Sequence, residues 1–341
     1  MVVIRDVDVA DEPRLREWYD AWAAAQAHRP PETYESWENA RVALPRPHPD
    51  YAVELFTAHD HEAVVGAAMV NLPLSDNRTL AYAEVGVPPH LRRRGFGVAL
   101  LAEVERRSRA AGRERALVEV YVPPDGACDG VGFAERHGYS VANREAMKAV
   151  DLDAAAPRWP ALEAEALAAR ADYRVVTWRD TCPDDLVESF GAALSRVMSL
   201  IPQGDLDLED ADFTVERIRA GEQRRRDIGV ADLEAAAVTP DGTVVGLTGV
   251  RVNLHDPRVA HVGVTMVLPE HRGHRLGLAT KLATHRALRE QVPACRLVVT
   301  SNAERNTHMN AINDALGYRQ LETLLEYHRT LGDEPAGTAP G

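Results

Sequence analysis

At 341 residues, 45% of them hydrophobic, the chain is long enough to bury the cores of two globular domains. Its net charge is −13 and both halves carry more acids than bases, which argues against a nucleic-acid-binding protein. No apolar run approaches the ~20 residues of a membrane span, Met1-Val2-Val3-Ile4-Arg5 lacks the build of a signal peptide, and Cys128, Cys182 and Cys295 have neither metal-ligand spacing nor an even count, so the expectation is a reduced cytoplasmic protein without a metal.

Residues 2–6 read as a strand, and Asp11 caps a helix to about Ala27 with Leu15, Trp18 and Trp22 on one side. A second helix is expected over 33–43, after the break at His28-Arg29-Pro30-Pro31. Strands follow at 51–56, 63–72 and 80–87, a meander whose third member runs into a basic, glycine-containing turn. A helix over 95–111 ends at Gly112; a strand at 116–122, a short helix at 129–137 and a strand at 139–151 complete the first half. Ala154–Trp159, with two prolines, reads as a linker, and Leu162–Ala171 as a connecting helix. The order then repeats: strand 173–178, helices 183–200 and 214–227, strands 233–238, 243–253 and 259–267, a second glycine turn, helix 276–291, strand 295–301, helix 306–316 and strand 318–329. The pattern is α/β with a mixed sheet, twice over. The boundaries expected are 1–152 and 173–331 for the two domains, 153–172 for the connection, and 332–341 for a Pro/Gly-rich tail without regular structure.

The two turns carry the chemistry. The first is Val85-Gly86-Val87-Pro88-Pro89-His90-Leu91-Arg92-Arg93-Arg94-Gly95-Phe96-Gly97-Val98. Glycines permit a tight turn and close approach of a ligand. The first amides of a helix lack internal partners, and the helix dipole and three arginines add positive charge. Together they make an anion site suited to a pyrophosphate. The second copy holds Met266-Val267, then Arg272-Gly273-His274-Arg275-Leu276-Gly277-Leu278.

Order of elements and turns together resemble the GCN5-related N-acetyltransferases, whose signature is Arg/Gln-x-x-Gly-x-Gly/Ala at a strand-to-helix junction. Arg92-x-x-Gly95-x-Gly97 matches it fully, whereas the second copy has Arg275 at the first glycine position. Asn302 and Asn306 lie in a stretch leading to Leu316-Gly317-Tyr318 that is similar to the family's Asn-rich segment near the pantetheine. The two-copy arrangement looks like mycothiol synthase and related actinobacterial tandem acetyltransferases. The resemblance implies two tandem acyltransferase domains and acetyl-CoA as cosubstrate, but not mycothiol as product. It also implies transfer to a primary amine of a small molecule in a ternary complex, by a monomer or homodimer with no nucleic-acid or membrane partner. A CoA-binding regulator with lapsed catalysis and a peptide or protein N-acetyltransferase are the alternatives.

No nucleophilic side chain is required for such a transfer, only a base for the ammonium and a donor for the leaving thiolate. Among strand carboxylates Glu84 is the leading candidate, ahead of Glu54, Glu119, Glu234 and Asp256. Many family members place a Tyr four residues before the Gly-aromatic pair as general acid; here those positions are Ala134 and Asn313, with His137 and His308 as nearby alternatives. Trp18, Trp22, Tyr34 and Trp37 lie on the helices expected to roof the acceptor site, and the acidic run 205–210 occupies the matching loop of the second half.

Overall fold

A computed structural model describes residues 2–126 and 128–332; the rest of the expected tail lies outside them. In chain order the elements are β1 (Val2–Asp6), α1 (Glu12–Ala25), α2 (Trp37–Ala43), β2 (Tyr51–Asp60), β3 (Ala63–Pro73), β4 (Leu80–Gly86), α3 (Phe96–Ala110), β5 (Arg115–Val122), α4 (Asp129–Arg136), β6 (Ser140–Asp151), α5 (Leu152–Ala155) and α6 (Trp159–Ala169). The second half gives β7 (Arg174–Arg179), α7 (Val187–Leu194), α8 (Val197–Leu200), α9 (Val215–Asp227), β8 (Val230–Val238), β9 (Val244–Asn253), β10 (Val259–Val267), α10 (Leu276–Gln291), β11 (Leu297–Ala303), α11 (Thr307–Leu316) and β12 (Arg319–Thr330).

Local chemistry explains most of this. Asp11 caps α1 by accepting from the Arg14 amide at 3.2 Å, and Leu15, Trp18 and Trp22 are buried as their spacing requires. The helix expected over 183–200 breaks in two. Ser195 Oγ donates back to Gly191 O at 2.9 Å and accepts from the Phe213 amide, which ends α7. The expected linker is helical, because Pro157 and Pro160 sit in first turns, where a missing N–H costs nothing. Only Trp37–Ala43 of the second expected helix is α-helical; Pro31–Thr33 forms a 3₁₀ turn closed by Thr33 Oγ1 on Pro30 O at 2.8 Å.

The compact units do not follow the expected boundaries. Unit 1 comprises residues up to Arg29, Ala43–Asn143 and Leu325 onward; unit 2 comprises Pro30–Val42 and Arg144–Leu324. In unit 1, β1 to β4 run antiparallel, β4 pairs with β5 in parallel, and the next strand beside β5 is β12, not β6. There Leu325, Tyr327 and Leu331 share a core with Leu101, Ala116, Ala134 and Tyr139. In unit 2, β7 to β10 run antiparallel, β10 pairs with β11 in parallel, and β11 takes residues 145–151 of β6 as its antiparallel neighbour. Each half of the sequence thus gives its last strand to the other's sheet. Both strands are 12 residues long and neither keeps a strict apolar alternation, so neither pattern specifies its neighbour.

Unit 2 packs α10 on β8, β9 and β10 through Leu278, Leu282 and Leu288. Within this helix Lys281 is fully buried, its Nζ has no hydrogen-bond partner among the described residues, and it lies 5.1 Å from the Tyr318 ring centre. Burial lowers its pKa to about 7. Between pH 7 and about 10 the folded amine is then neutral while the unfolded one is still protonated, so stability should rise with pH at up to ~1.4 kcal/mol per unit. Neighbouring His285, lowered to about 3 by burial and by Lys281, adds a rise of the same sign at lower pH, between there and its unfolded value. Lys281→Met should stabilise unit 2 and flatten the alkaline part of this dependence. Denaturant midpoints taken from pH 7 to 10 check it; equal slopes in parent and variant would refute it.

Candidate active site

The parallel pairing of β4 with β5 joins Leu80–Ala83 to Arg115–Val118 and then stops. The strands separate beyond this point. Glu84–Val87 and Glu119–Tyr121 then line a cavity of about 330 Å³, closed by the turn and by Phe133 of α4. On its other edge β4 stays paired with β3 through Gly86, so only the edge facing β5 is released from a strand partner. Close packing at Gly86 explains the residue: a Cβ there would lie 3.0 Å from that of Ala25.

The turn itself holds two residues in the left-handed region, Arg93 at φ 64° and Gly95 at φ 86°. Its twin does the same with the residue types exchanged, Gly273 at φ 89° and Arg275 at φ 55°. Each copy therefore places a glycine at one left-handed position and an arginine at the other, and the departure at Arg275 keeps the backbone path. No atom lies within 4 Å of a Cβ built on Gly95, so that glycine serves conformation and leaves open space. Gly97 serves packing: its Cβ would meet Phe133 at 3.3 Å. The first helical bond of α3 is Ala99 N to Gly95 O, which leaves the amides of Phe96, Gly97 and Val98 without helical partners.

The signature arginine braces this turn. Arg92 donates from Nε to Val87 O at 3.1 Å and from its terminal nitrogens to Ala25 O and Asp129. Arg272 repeats the first bond, Nε to Val267 O at 3.2 Å. Arg93 reaches Asp129, whose carboxyl the two guanidinium groups hold below its usual range, and Arg94 is exposed beside them. A strand that opens beside free helix amides and exposed arginines fits a nucleotide pyrophosphate with an acyl arm laid along the strand.

Residues 13–139 match the model of the acetyltransferase (GNAT) family. A tandem GNAT protein from the clavulanic acid biosynthesis pathway is 26% identical, with 98% of this chain and 100% of that one aligned and a TM-score of 0.78. Residues 13–139 thus carry the sequence pattern of the GNAT acetyltransferases, and the whole chain is similar to a tandem GNAT protein. A GCN5-related N-acetyltransferase from Sphaerobacter thermophilus shares the fold at 16% identity, over 97% of this chain and 96% of that one, with a TM-score of 0.67. A glucosamine N-acetyltransferase region of a fungal β-N-acetylglucosaminidase does so at 12% identity over 96% of this chain and 38% of that one, again at 0.67. No curated protein matches by sequence. Acetyl transfer is the chemistry of the family that residues 13–139 match. No helix among the described residues is long and apolar enough to cross a membrane, and no group of His, Cys, Asp or Glu among them could hold a metal ion.

In this GNAT frame Glu84 lines the cavity and accepts from Trp22 Nε1 at 2.7 Å; Trp22 stacks on Trp18 at 6.0 Å. Glu119 is also at the cavity, whereas Glu54 is tied to Arg107 at 3.0 Å. Sequence reasoning missed Tyr121. Its hydroxyl donates to Glu119, and the Arg29 guanidinium lies 3.3 Å over its ring. Burial and the nearby carboxylates push its pKa well up, so it stays a proton donor at neutral pH. The alternation Glu119-Val120-Tyr121 on a strand entering the cavity was the available signal; Arg29 had none, being brought there by the end of α1.

The other expected site residues are placed as follows. Val85 and Val87 lie on the separated strand, Val98 is exposed on the first turn of α3, and Phe96 is buried in the unit 1 core. In unit 2 Met266, Leu276 and Leu278 are core residues, and Gly277 faces Ile312. Arg275 is paired with Glu165 of α6, and His274 Nδ1 lies 3.3 Å from Ala169 O, so the connecting helix engages both. Asn306 caps α11 by accepting from the Met309 amide, and Asn302 accepts from Asn313 Nδ2 at 2.5 Å.

Proposed function

We infer that unit 1 binds acetyl-CoA and transfers its acetyl group to a primary amine of a small molecule, by direct attack in a ternary complex. The observation that carries this is the single cavity that holds the open helix amides of the turn at one end and Glu84 and Tyr121 on the separated strands. The amides of Phe96, Gly97 and Val98, with Arg93 and Arg94, hold the pyrophosphate, and Val85–Val87 align the arm. Acetyl-CoA supplies the acyl group already activated as a thioester. Glu84 removes a proton from the acceptor ammonium, oriented by Trp22. The Tyr121 hydroxyl gives a proton to the departing thiolate and is recharged through Glu119. Free N–H groups on the released edge of β4 stabilise the charge that develops on the carbonyl oxygen.

Glu84→Gln should lower kcat by ~10²–10⁴-fold, the usual worth of a positioned base, while acetyl-CoA binding is retained. Thiol release with a panel of small amines, beside calorimetric titration of acetyl-CoA, measures both. Equal turnover by parent and variant would remove Glu84 from this role. Binding without turnover of any amine or peptide would mark a CoA-sensing protein instead, and faster release with peptides would move the acceptor to that class.

A further inference from the structure

Arg29 lies in the wall of the unit 1 cavity and is only 7% exposed. Its position is built locally. After α1 the Gln26 amide closes on Ala23 O at 3.0 Å and the Arg29 amide on Gln26 O at 2.8 Å, so residues 26–29 add one more turn. Arg29 Nη1 also donates to Gln26 Oε1 at 3.2 Å, which bends the side chain back toward the helix end. The end of α1 is itself anchored, because Ala25 O accepts at 3.4 Å from Arg92, the brace of the 92–98 turn. From this base the Arg29 guanidinium carbon stands 3.3 Å above the centre of the Tyr121 ring. A cation thus meets the electron-rich face of a ring inside a cavity that Glu84 and Glu119 also line.

The charges around the ring give this contact a chemical use. The Tyr121 hydroxyl donates to Glu119, its neighbour on the same face of β5, and Glu84 lines the cavity from β4. When the hydroxyl gives up its proton, a negative charge forms near two carboxylates, in a place where burial already opposes it. The Cys128 thiol at the start of α4 donates to Tyr121 O at 3.4 Å and adds no positive charge. Of these groups Arg29 alone is a cation, and it acts against the effect of the carboxylates. Arginine fits the task. It stays charged at every working pH, its plane stacks on a ring, and its edge keeps donors for Gln26. A lysine would offer a point charge with neither plane nor fork.

We propose that Arg29 is a positioning residue for the proton transfer to the leaving group: its guanidinium fixes the Tyr121 ring and balances the charge left on the phenol oxygen. This rests on the reading of Tyr121 as the proton donor. In that step the C–S bond breaks with its electron pair going to sulfur, the Tyr121 O–H bond breaks and an S–H bond forms. The phenolate then takes a proton back from solvent through Glu119, which is exposed. Thiol release by the full-length protein, with acetyl-CoA and a panel of small primary amines, tests the proposal in four variants: Arg29→Gln, Arg29→Lys, Tyr121→Phe and the Arg29→Gln, Tyr121→Phe double variant. Tyr121→Phe should lower kcat by ~10²-fold or more. Arg29→Gln should lower kcat about tenfold and leave KM for acetyl-CoA and for the amine within about twofold of the parent. Arg29→Lys, which keeps the charge without the plane, should recover part of that loss. Without the Tyr121 hydroxyl, Arg29→Gln should cost no more than about twofold, because the group it acts through is gone. The melting temperature and calorimetric titration of acetyl-CoA report an intact unit 1, and Arg29→Met, which covers the ring without a charge, replaces the glutamine variant if that one unfolds. An unchanged kcat in Arg29→Gln, a loss carried by KM alone, or an equal loss with and without the Tyr121 hydroxyl would overturn the proposal and leave the proton donor in place. A Tyr121→Phe variant as fast as the parent would remove the donor reading and this inference with it, and turnover of no amine would remove acetyl transfer itself.

Discussion

A chain ending at Gly317 should lose acetyl-CoA binding in unit 1, although every residue of the 92–98 turn is still present. The truncation removes β12, and with it Leu325, Tyr327 and Leu331 from a core that also holds Leu101 of α3 and Tyr139. It removes Arg329, which bonds Glu105 at 2.7 Å and His137 O at 3.0 Å, and the Leu331 amide bond to Glu114 O at 2.6 Å. Tyr139 and His137 line the cavity, and Tyr139 donates to Glu105 at 3.2 Å, so this strand holds one wall of the site. Full-length Tyr327→Ala, a milder version, should cost ~3–5 kcal/mol, since the ring is 1% exposed. That is a large share of the ~5–15 kcal/mol that stabilises a typical domain. Calorimetric titration of the truncated chain is the check. Undiminished binding would mean that β6 can replace β12 beside β5.

Gly95→Glu should abolish acetyl-CoA binding by unit 1. The φ of 86° strains any side chain, and a carboxylate on this residue would stand at the three open amides of α3. Strain and charge can be separated. Gly95→Ala bears the left-handed cost alone, ~1–2 kcal/mol, because no atom lies within 4 Å of the added Cβ. It should fold, with modestly weakened binding, while Gly95→Glu should show no binding heat at all. The chain carries its own control in Arg275, a side chain tolerated at φ 55° in the matching position. If Gly95→Glu titrates like the parent, the turn does not face the pyrophosphate.

The turn was legible because its chemistry is local. Pro88-Pro89 end a strand, two glycines follow, and an apolar helix begins, all within bonding range along the chain. Glu84 could be named as a candidate for the same reason, from its place on the strand entering the turn. Its partner could not. Trp22 reads as a core residue by helical spacing, and only the packing of α1 over β3 and β4 brings its Nε1 to Glu84. Arg92 looked like a phosphate ligand because it is basic and near glycines. Its role as a brace depends on Val87 O and Ala25 O, carbonyls with no sequence signal.

The same division holds for the architecture. Alternating apolar positions, caps and turn residues determined by themselves that two mixed α/β units of one type follow each other along the chain, each with a glycine turn at a helix start. Which strands close each sheet was decided only in three dimensions. β6 and β12 are of equal length and neither keeps a strict apolar alternation, so the exchange leaves no mark in either segment. The helix read over 33–43 in the first half likewise falls almost wholly in the segment Pro30–Val42 that packs with unit 2, because burial is settled by which apolar surface is available, not by distance along the chain. The row of Asp232, Arg251 and His261 has the same origin: three strands each contribute one ordinary polar residue, and only the register sets them side by side.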